Sequence, residues 1–531
     1  MSLRKQFEPV VEELARKLGL GTGPSHGEVN TNTDDDNTAT SPPTDEASLR
    51  LSLASIFVIA QKTVPVSEDG NDSSVFSPRD DADDGTGNIS FTTITEALKF
   101  VAKISQELAE HTHDNERHDL PTAHIIVAAG RYPERVIFDD SILQFCNVNV
   151  EGPGLGSYVT EHDVDSCSSP RPSTDKLAYI ISHQGPPVDV EVSHESRGHV
   201  TVSNLQFVRL LPADKSDYSN DESKETDSEL NTEHENPKIE QGNQPSVPTH
   251  CCGWLHRKVA DHESRRLIHV TFKWCGFYGM VTTGDCLRVD AGFNFAAYHC
   301  AFSSGWLSEF DGMGNFRKTI DNVKVGNDGA NGVRFDCGGS IGSFHACEVR
   351  RAEWYGFFIH SSSTELNHEL LDQQTSDTSL CVTNCSIRHI RKGPGILVLL
   401  AQLHRGIVKI QGCEVMSTAL AGATVVNVPW PGEVKSHLKI EGSSFHHCSS
   451  DGIRICTTDC PKIDDVIPET DIETIVDKPP SMPQCHVEVT SCHLFNNCGA
   501  GMTVLTPEQS TTPTSRQLQV SVTGCHIHDN G

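Results

Sequence analysis

A chain of 531 residues with 72 Asp and Glu against 42 Lys and Arg carries a formal net charge of −30, which excludes a nucleic-acid partner and opposes tight binding of polyanionic sugars such as pectate. No segment approaches the roughly 18 apolar residues of a membrane span, and no N-terminal run has the apolar core of an export signal. The chain is therefore expected in the cytoplasm, without a membrane partner. Its 19 cysteines are spread along the sequence rather than clustered as in a small disulfide scaffold. A buried ladder of free thiols is expected, with disulfides between neighbouring rungs as the open alternative.

Residues 1–20 hold an amphipathic helix, in which Pro9 stands in the first turn and Val10, Val11, Leu14 and Leu18 share a side. Residues 21–90 are mostly an acidic, flexible linker rich in Gly, Ser, Thr, Pro and Asp. Within it, Leu49 to Ala60 is apolar and reads equally as a strand or a short helix. A capping helix follows from Thr93 to about Glu110 inside residues 91–122. Thr93 and Glu96 have capping-box spacing, and Ile94, Ala97, Leu98, Val101, Ile104 and Leu108 make one face. His111, His113 and His118 beyond it have no thiolate or orienting carboxylate nearby and are read as solvated loop residues, so no metal or other cofactor is expected.

From residue 123 to 531 one phrase keeps returning. Val489-Thr-Ser-Cys492-His-Leu, Val522-Thr-Gly-Cys525-His-Ile, Val382-Thr-Asn-Cys385-Ser-Ile and Ile410-Gln-Gly-Cys413-Glu-Val are spellings of it. Cys275, Cys300, Cys347 and Ser443 hold the same fourth place, and Gly130, Pro153, Leu205 and Val323 hold it in weaker copies, which makes twelve slots. Close neighbours recur at about two dozen residues. Glycine falls nine residues after the slot at Gly284, Gly332, Gly356, Gly422, Gly452 and Gly501, and ten after it at Gly395. Alternating apolar residues separated by such glycines describe short strands with tight turns, the glycines supplying dihedrals that other residues avoid. Units this small must bury their strands against neighbours, so the chain is read as a solenoid of parallel strands, and a monomer. Polar or acidic insertions are expected at about 212–262, 361–379 and 457–484, and the C-terminus is expected to be truncated, because the last rung stops short of its glycine and of an end cap. Cys251-Cys252 lacks the paired Cys-x-x-Cys spacing of a zinc site, and Cys456-x-x-x-Cys460, half a metal clamp without a partner pair, is read as a loop leaving the coil.

Phe91-Thr-Thr-Ile-Thr-Glu-Ala-Leu98 followed by Ile125-Ile-Val-Ala-Ala-Gly130-Arg-Tyr-Pro-Glu-Arg-Val136 resembles the opening of pectin-esterase-like proteins. With the repeat, the chain resembles a right-handed parallel β-helix of the pectin-lyase-like superfamily from about Phe91 onward. The resemblance implies an all-β, single-stranded right-handed solenoid with an N-terminal capping helix. It also implies that any sugar-cleaving site would lie along one outward face.

The catalytic phrases of the sugar-cleaving members do not transfer. Asn32-Thr33-Asp34 stands in the linker, Asp139-Asp140 precedes the second rung, and Gly198-His199 is followed by Val200. The Gly-x-x-Asp-Phe phrase of pectin esterases and the basic cluster of pectate lyases are missing from the sequence. Candidates remain without a constellation. Glu348 and Glu414 share the place after the slot, and Asp311, Asp321, Asp336 and Glu353 occupy polar positions of central rungs. Trp306, Trp354, Tyr355 and Trp430 could stack on sugar rings or pack under turns. Trp306, Trp354, Tyr355, Glu348 and Asp336 are the ligand-binding candidates. The reading from sequence is a noncatalytic recognition scaffold for a protein or glycan, similar to the β-helix regions of Shc-binding and F-box proteins. The alternative is a polysaccharide hydrolase or lyase with an unfamiliar carboxylate site.

Overall fold

The computed structural model describes residues 56–58, 89–111, 120–153, 177–209, 251–258, 266–279, 284–304, 330–361, 378–400, 407–427, 435–457, 484–505 and 518–531, apart from 184, 194, 338 and 339. The expected helix at 1–20, most of the linker, His113, His118, Asp311, Asp321, Trp306, Trp430 and Cys460 lie outside the described residues. Among the described residues three parallel sheets of 13, 11 and 10 strands, here sheets 1, 2 and 3, wind together. A single coil shows the plan: Ile268–Lys273 lies in sheet 1, Gly276–Gly279 in sheet 2 and Asp285–Val289 in sheet 3, and Phe293–Tyr298 returns to sheet 1. The fold is a right-handed parallel β-helix, in which each strand pairs with its equivalent one coil away and alternate side chains fill the bore.

The slot residue marks the corner between sheets 1 and 2. The residue before it has positive φ at Asn204, Trp274, His299, Ala346, Asn384, Gly412, Gly442, Ser491 and Gly524, so one left-handed residue per coil turns the chain sharply. Behind it stand the slot thiols, buried and unpaired at Cys275, Cys300, Cys347, Cys385, Cys413 and Cys492. Each lies within hydrogen-bonding reach of a carbonyl of the preceding coil, as in Cys300 Sγ to Phe272 O at 3.6 Å and Cys413 Sγ to Val382 O at 3.5 Å. Burial first, and then the thiol of the preceding coil, pushes Cys300 and Cys347 well above the ordinary thiol range. These groups are packing elements, inert as nucleophiles.

The glycine marker enters sheet 3, and its physical basis differs from the turn dihedral expected. Of the seven marker glycines only Gly284 has positive φ. The others stack on one another: a Cβ on Gly356, Gly395, Gly422 or Gly452 would come within 2.6, 2.7, 2.7 and 2.5 Å of the carbonyl oxygen of the next glycine in the column. Only hydrogen fits between coils at that corner.

Among the described residues eleven coils result, one per strand of sheet 2, where the slots suggested twelve. Ala301 pairs directly with Glu348 and Tyr298 with His345, so the coils of Cys300 and Cys347 are neighbours and no rung separates them. Val323 belongs to the passage between Ala301–Ser304 and Asn331–Asp336, outside the described residues. Conversely, Gly253–Arg257, inside the expected insertion at 212–262, is a strand of sheet 3. Ile56–Val58 is a strand of sheet 1 between Ile89–Phe91 and Thr122–Val127, so the described part of that apolar segment is a strand, and the rest of it lies outside the described residues. Helix α1, Ile94–His111, buries Ile94, Ala97, Leu98, Val101 and Ile104 against the first coil. Thr93 Oγ1 accepts the Glu96 amide at 3.1 Å as the capping spacing requires.

Candidate functional site on the outer face of sheet 3

Inward positions of sheet 3 are apolar: Leu287 and Val289, Val333 and Phe335, and Phe357 and Ile359 all join the core. The residues that alternate with them face out and stack coil on coil about 4.8 Å apart. Trp254 pairs with Arg288, Arg288 with Arg334, and Arg334 with Phe358. Further along the same strands Asp336 pairs with His360, and Asp290, one residue past its strand, falls opposite Asp336 by continuation of that register. Where sheet 2 passes into sheet 3, Asp285 pairs with Asn331, and Tyr355 follows one coil on.

Hydrogen bonds tie these rows into a network. Asp290 accepts from Arg288 Nε at 2.8 Å and from Trp254 Nε1 at 2.9 Å. The Trp254 ring stacks on His256 at 3.6 Å, and His256 Nε2 lies 3.2 Å from the buried carboxylate of Asp189, which also meets Arg135. Asp285 Oδ1 accepts from Tyr355 Oη at 2.7 Å and from Asn331 Nδ2 at 3.2 Å. Arg334 Nε donates to His360 Nε2 at 3.0 Å while its guanidinium lies over the Phe358 ring at 5.2 Å.

The environment splits the titrating groups. Burial raises the Asp285 carboxyl above the ordinary range despite the opposing pull of Arg334, Tyr355 and Arg288, so it is disposed to hold a proton. Burial, followed by the fields of Arg334 and Arg288, holds His360 well below the ordinary imidazole value and therefore neutral. Arg288 moves the other way, because pairing with Asp290 outweighs its burial. Carboxyl, carboxylate, guanidinium and neutral imidazole thus meet on one face. That set can donate and accept protons and can orient a hydroxyl-rich ligand.

The residues singled out from sequence are partly brought together here. Tyr355 lies within the network, and Asp336 is in register with His360 beside it, buried with 2% of its surface exposed. Trp354 flanks it, 36% exposed, with its amide donating to Asn331 Oδ1 at 3.1 Å and Lys392 Nζ 5.3 Å over its ring. Glu348 lies on sheet 2 instead, held between Arg350 at 3.0 Å and Arg388 at 2.9 Å. Glu414 is in register two coils further on, through Ser386, and pairs with His446 at 3.3 Å. Glu353 is buried with Lys392 at 2.8 Å and Arg391 at 3.5 Å. Asp285, Arg288, Asp290, Arg334, His360 and Trp254 were not singled out. Their signal was present in Gly284-Asp-Cys-Leu-Arg-Val and Gly332-Val-Arg-Phe-Asp, where charge alternates with apolar residues after the marker glycine. Among the described residues no group of three or more His, Cys, Asp or Glu is placed to hold a metal, and no helix is long and apolar enough to cross a membrane.

Fold and site together define a parallel β-helix protein with a polar network on one outward face. No protein-family model and no curated protein matches the sequence. Among solved structures the chain is similar to a mutant of the periplasmic alginate epimerase AlgG (9% identity, 76% of each chain, TM-score 0.29). It is also similar to the tailspike gp49 of Acinetobacter baumannii bacteriophage Fri1, a capsular polysaccharide depolymerase (12% identity, 82% of this chain and 55% of that one, TM-score 0.28). A third is the catalytic domain of a GH87 alpha-1,3-glucanase (10% identity, 80% and 67%, TM-score 0.28).

Proposed function

We propose that this protein cleaves or modifies a polysaccharide laid along the outer face of sheet 3, with Asp290 and Asp336 as the reacting carboxyl pair. The observation that carries this reading is their register: two carboxyls on neighbouring coils, flanked by Arg288, Arg334 and the neutral His360. Backbones one coil apart are about 4.8 Å from each other, close to the separation of roughly 5–5.5 Å at which paired carboxylates work as nucleophile and acid in retaining glycosidases. Glu348 and Glu414, two coils apart and on another sheet, are each tied to basic groups.

The test is reducing-sugar release from a panel of polysaccharides by the whole chain, beside a glycan array. Release should fall at least a hundredfold, on the order of the loss of one acid–base group, in Asp336→Asn and Asp290→Asn. Release that both variants retain in full sinks the assignment. Phe358, Leu397, Leu399, Val426 and Cys456 continue the same rows as an apolar cluster that is itself buried, so the second reading, binding of a glycan or protein without turnover, rests on the polar rows and on Trp254 and Trp354 beside them. In that case the array reports a ligand and no polymer is cut. We further infer a reducing, cytoplasmic setting, which the unpaired slot thiols support.

A further inference from the structure

At the corner between sheets 2 and 3, two neighbouring coils gather five Lys and Arg side chains against two carboxylates, on a chain whose net charge is −30. Arg350 pairs in register with Arg388. The Arg351 amide donates to the Arg388 carbonyl at 3.2 Å, that of Arg391 to Ala352 O at 3.0 Å and that of Lys392 to Glu353 O at 2.8 Å. The coils are therefore locked side by side and the cations form one patch. Arg391 is the most open of the paired cations, with 57% of its side chain exposed. His389 reads the local field: burial first, then Arg388, Arg351 and Arg350, hold its pKa below the ordinary imidazole value, and Glu348 opposes them only weakly. Arg351 and His389 also hold left-handed backbone, with φ of 56° and 60°, a strained conformation kept where surrounding structure imposes it. Trp354 stands at the rim under Lys392.

We propose that this patch docks an acidic peptide segment of a partner protein. Guanidinium forks match carboxylates, and Trp beside Arg is the composition of interface anchor points. Glu348 and Glu353 stand inside the patch, and the whole molecule is strongly anionic. Both features penalise a densely charged sulfated glycan or nucleic acid more than a peptide whose carboxylates are spaced by aliphatic residues. The proposal concerns a surface distinct from the carboxyl pair of sheet 3, and sugar release does not bear on it.

The experiment is fluorescence anisotropy of a fluorescein-labelled peptide of alternating Glu and Leu, titrated with the full chain at low and high salt, with an alternating Lys and Leu peptide as control. The acidic peptide should bind, and bind more weakly in high salt, while the basic one should not. Arg391→Glu should weaken binding by roughly tenfold at low salt and little at high salt. Trp354→Ala should weaken it several-fold at both. Each variant is checked for an unchanged thermal midpoint, and Arg351→Glu replaces any that unfolds early. The proposal is overturned if the acidic peptide does not bind at low salt, if folded Arg391→Glu binds it as tightly as the parent, or if heparin of equal charge binds more tightly than the peptide.

Discussion

The hydrogen atom that stands for a side chain at Gly395 is what lets two coils approach. A Cβ there would meet Gly422 O at 2.7 Å and the Val415 side chain, and neither a backbone carbonyl nor a packed valine can retreat without separating strands. Gly395→Ala is expected to cost roughly 1–3 kcal/mol, as overpacking does. Gly442→Ala makes the contrast: φ is +56° but nothing lies within 4 Å of the added carbon, so only about 1 kcal/mol of left-handed strain is expected. Denaturant midpoints of the two variants separate crowding from dihedral strain. At the same scale His360 predicts a pH dependence. Its folded pKa lies well below the unfolded value near 6.5 because burial and Arg334 disfavour the cation, so below that pH the unfolded chain binds the extra proton. Stability is full above pH 6.5 and falls as pH drops toward the folded value, by up to about 1.4 kcal/mol per pH unit for this group. His360→Gln should flatten that limb in denaturation curves collected across acid pH. The glycine column was legible in the sequence, but its reason was not, since spacing records that side chains are missing and not what would strike them.

The cap helix and the thiol column show how elements are held. The first amides of α1, Ile94 and Thr95, both donate to the Glu134 carboxylate at 2.9 Å, and Thr95 Oγ1 adds a third bond at 2.6 Å. A carboxylate forty residues away thus satisfies donors that the helix leaves open and complements its dipole. Glu134→Ala should cost about 1 kcal/mol and speed amide exchange at Ile94 and Thr95 in particular. The helix was readable from Thr93, Glu96 and its apolar face, whereas Glu134 was beyond local spacing. The thiol column predicts selective chemistry. Cys498 is exposed and Cys381 and Cys525 are half-buried, while Cys275, Cys300, Cys347, Cys385, Cys413 and Cys492 are buried. Iodoacetamide on the folded protein, mapped by mass spectrometry, should therefore label Cys498 first among these and reach the buried six only after denaturation. Labelling of the buried set at the rate of Cys498 would contradict a packed column.

For the whole molecule, coil contacts outlast interruptions of the chain. Ser304 and Asn331 are consecutive described strand ends in one coil, and Ala301 pairs directly with Glu348, so the described strands keep their register across the gap in sequence. Closing a longer loop costs only a slowly growing entropy. Replacing residues 305–329 by a passage as short as that between Gly279 and Gly284 should leave the far-UV circular dichroism spectrum and the unfolding midpoint nearly unchanged. By itself the sequence determined the all-β repeat, the thiol column, the cap and the lack of familiar catalytic phrases, because each depends on residues a few places apart and on alternation that local physics enforces. Tertiary structure alone decided that the described residues form eleven coils where the slots suggested twelve, that Glu348 and Asp336 lie on different sheets, and that Asp290, Arg288, Arg334 and His360 share one face of sheet 3. Register between coils is a property of pairing across dozens of residues, and insertions of unequal length hide it from any count along the chain.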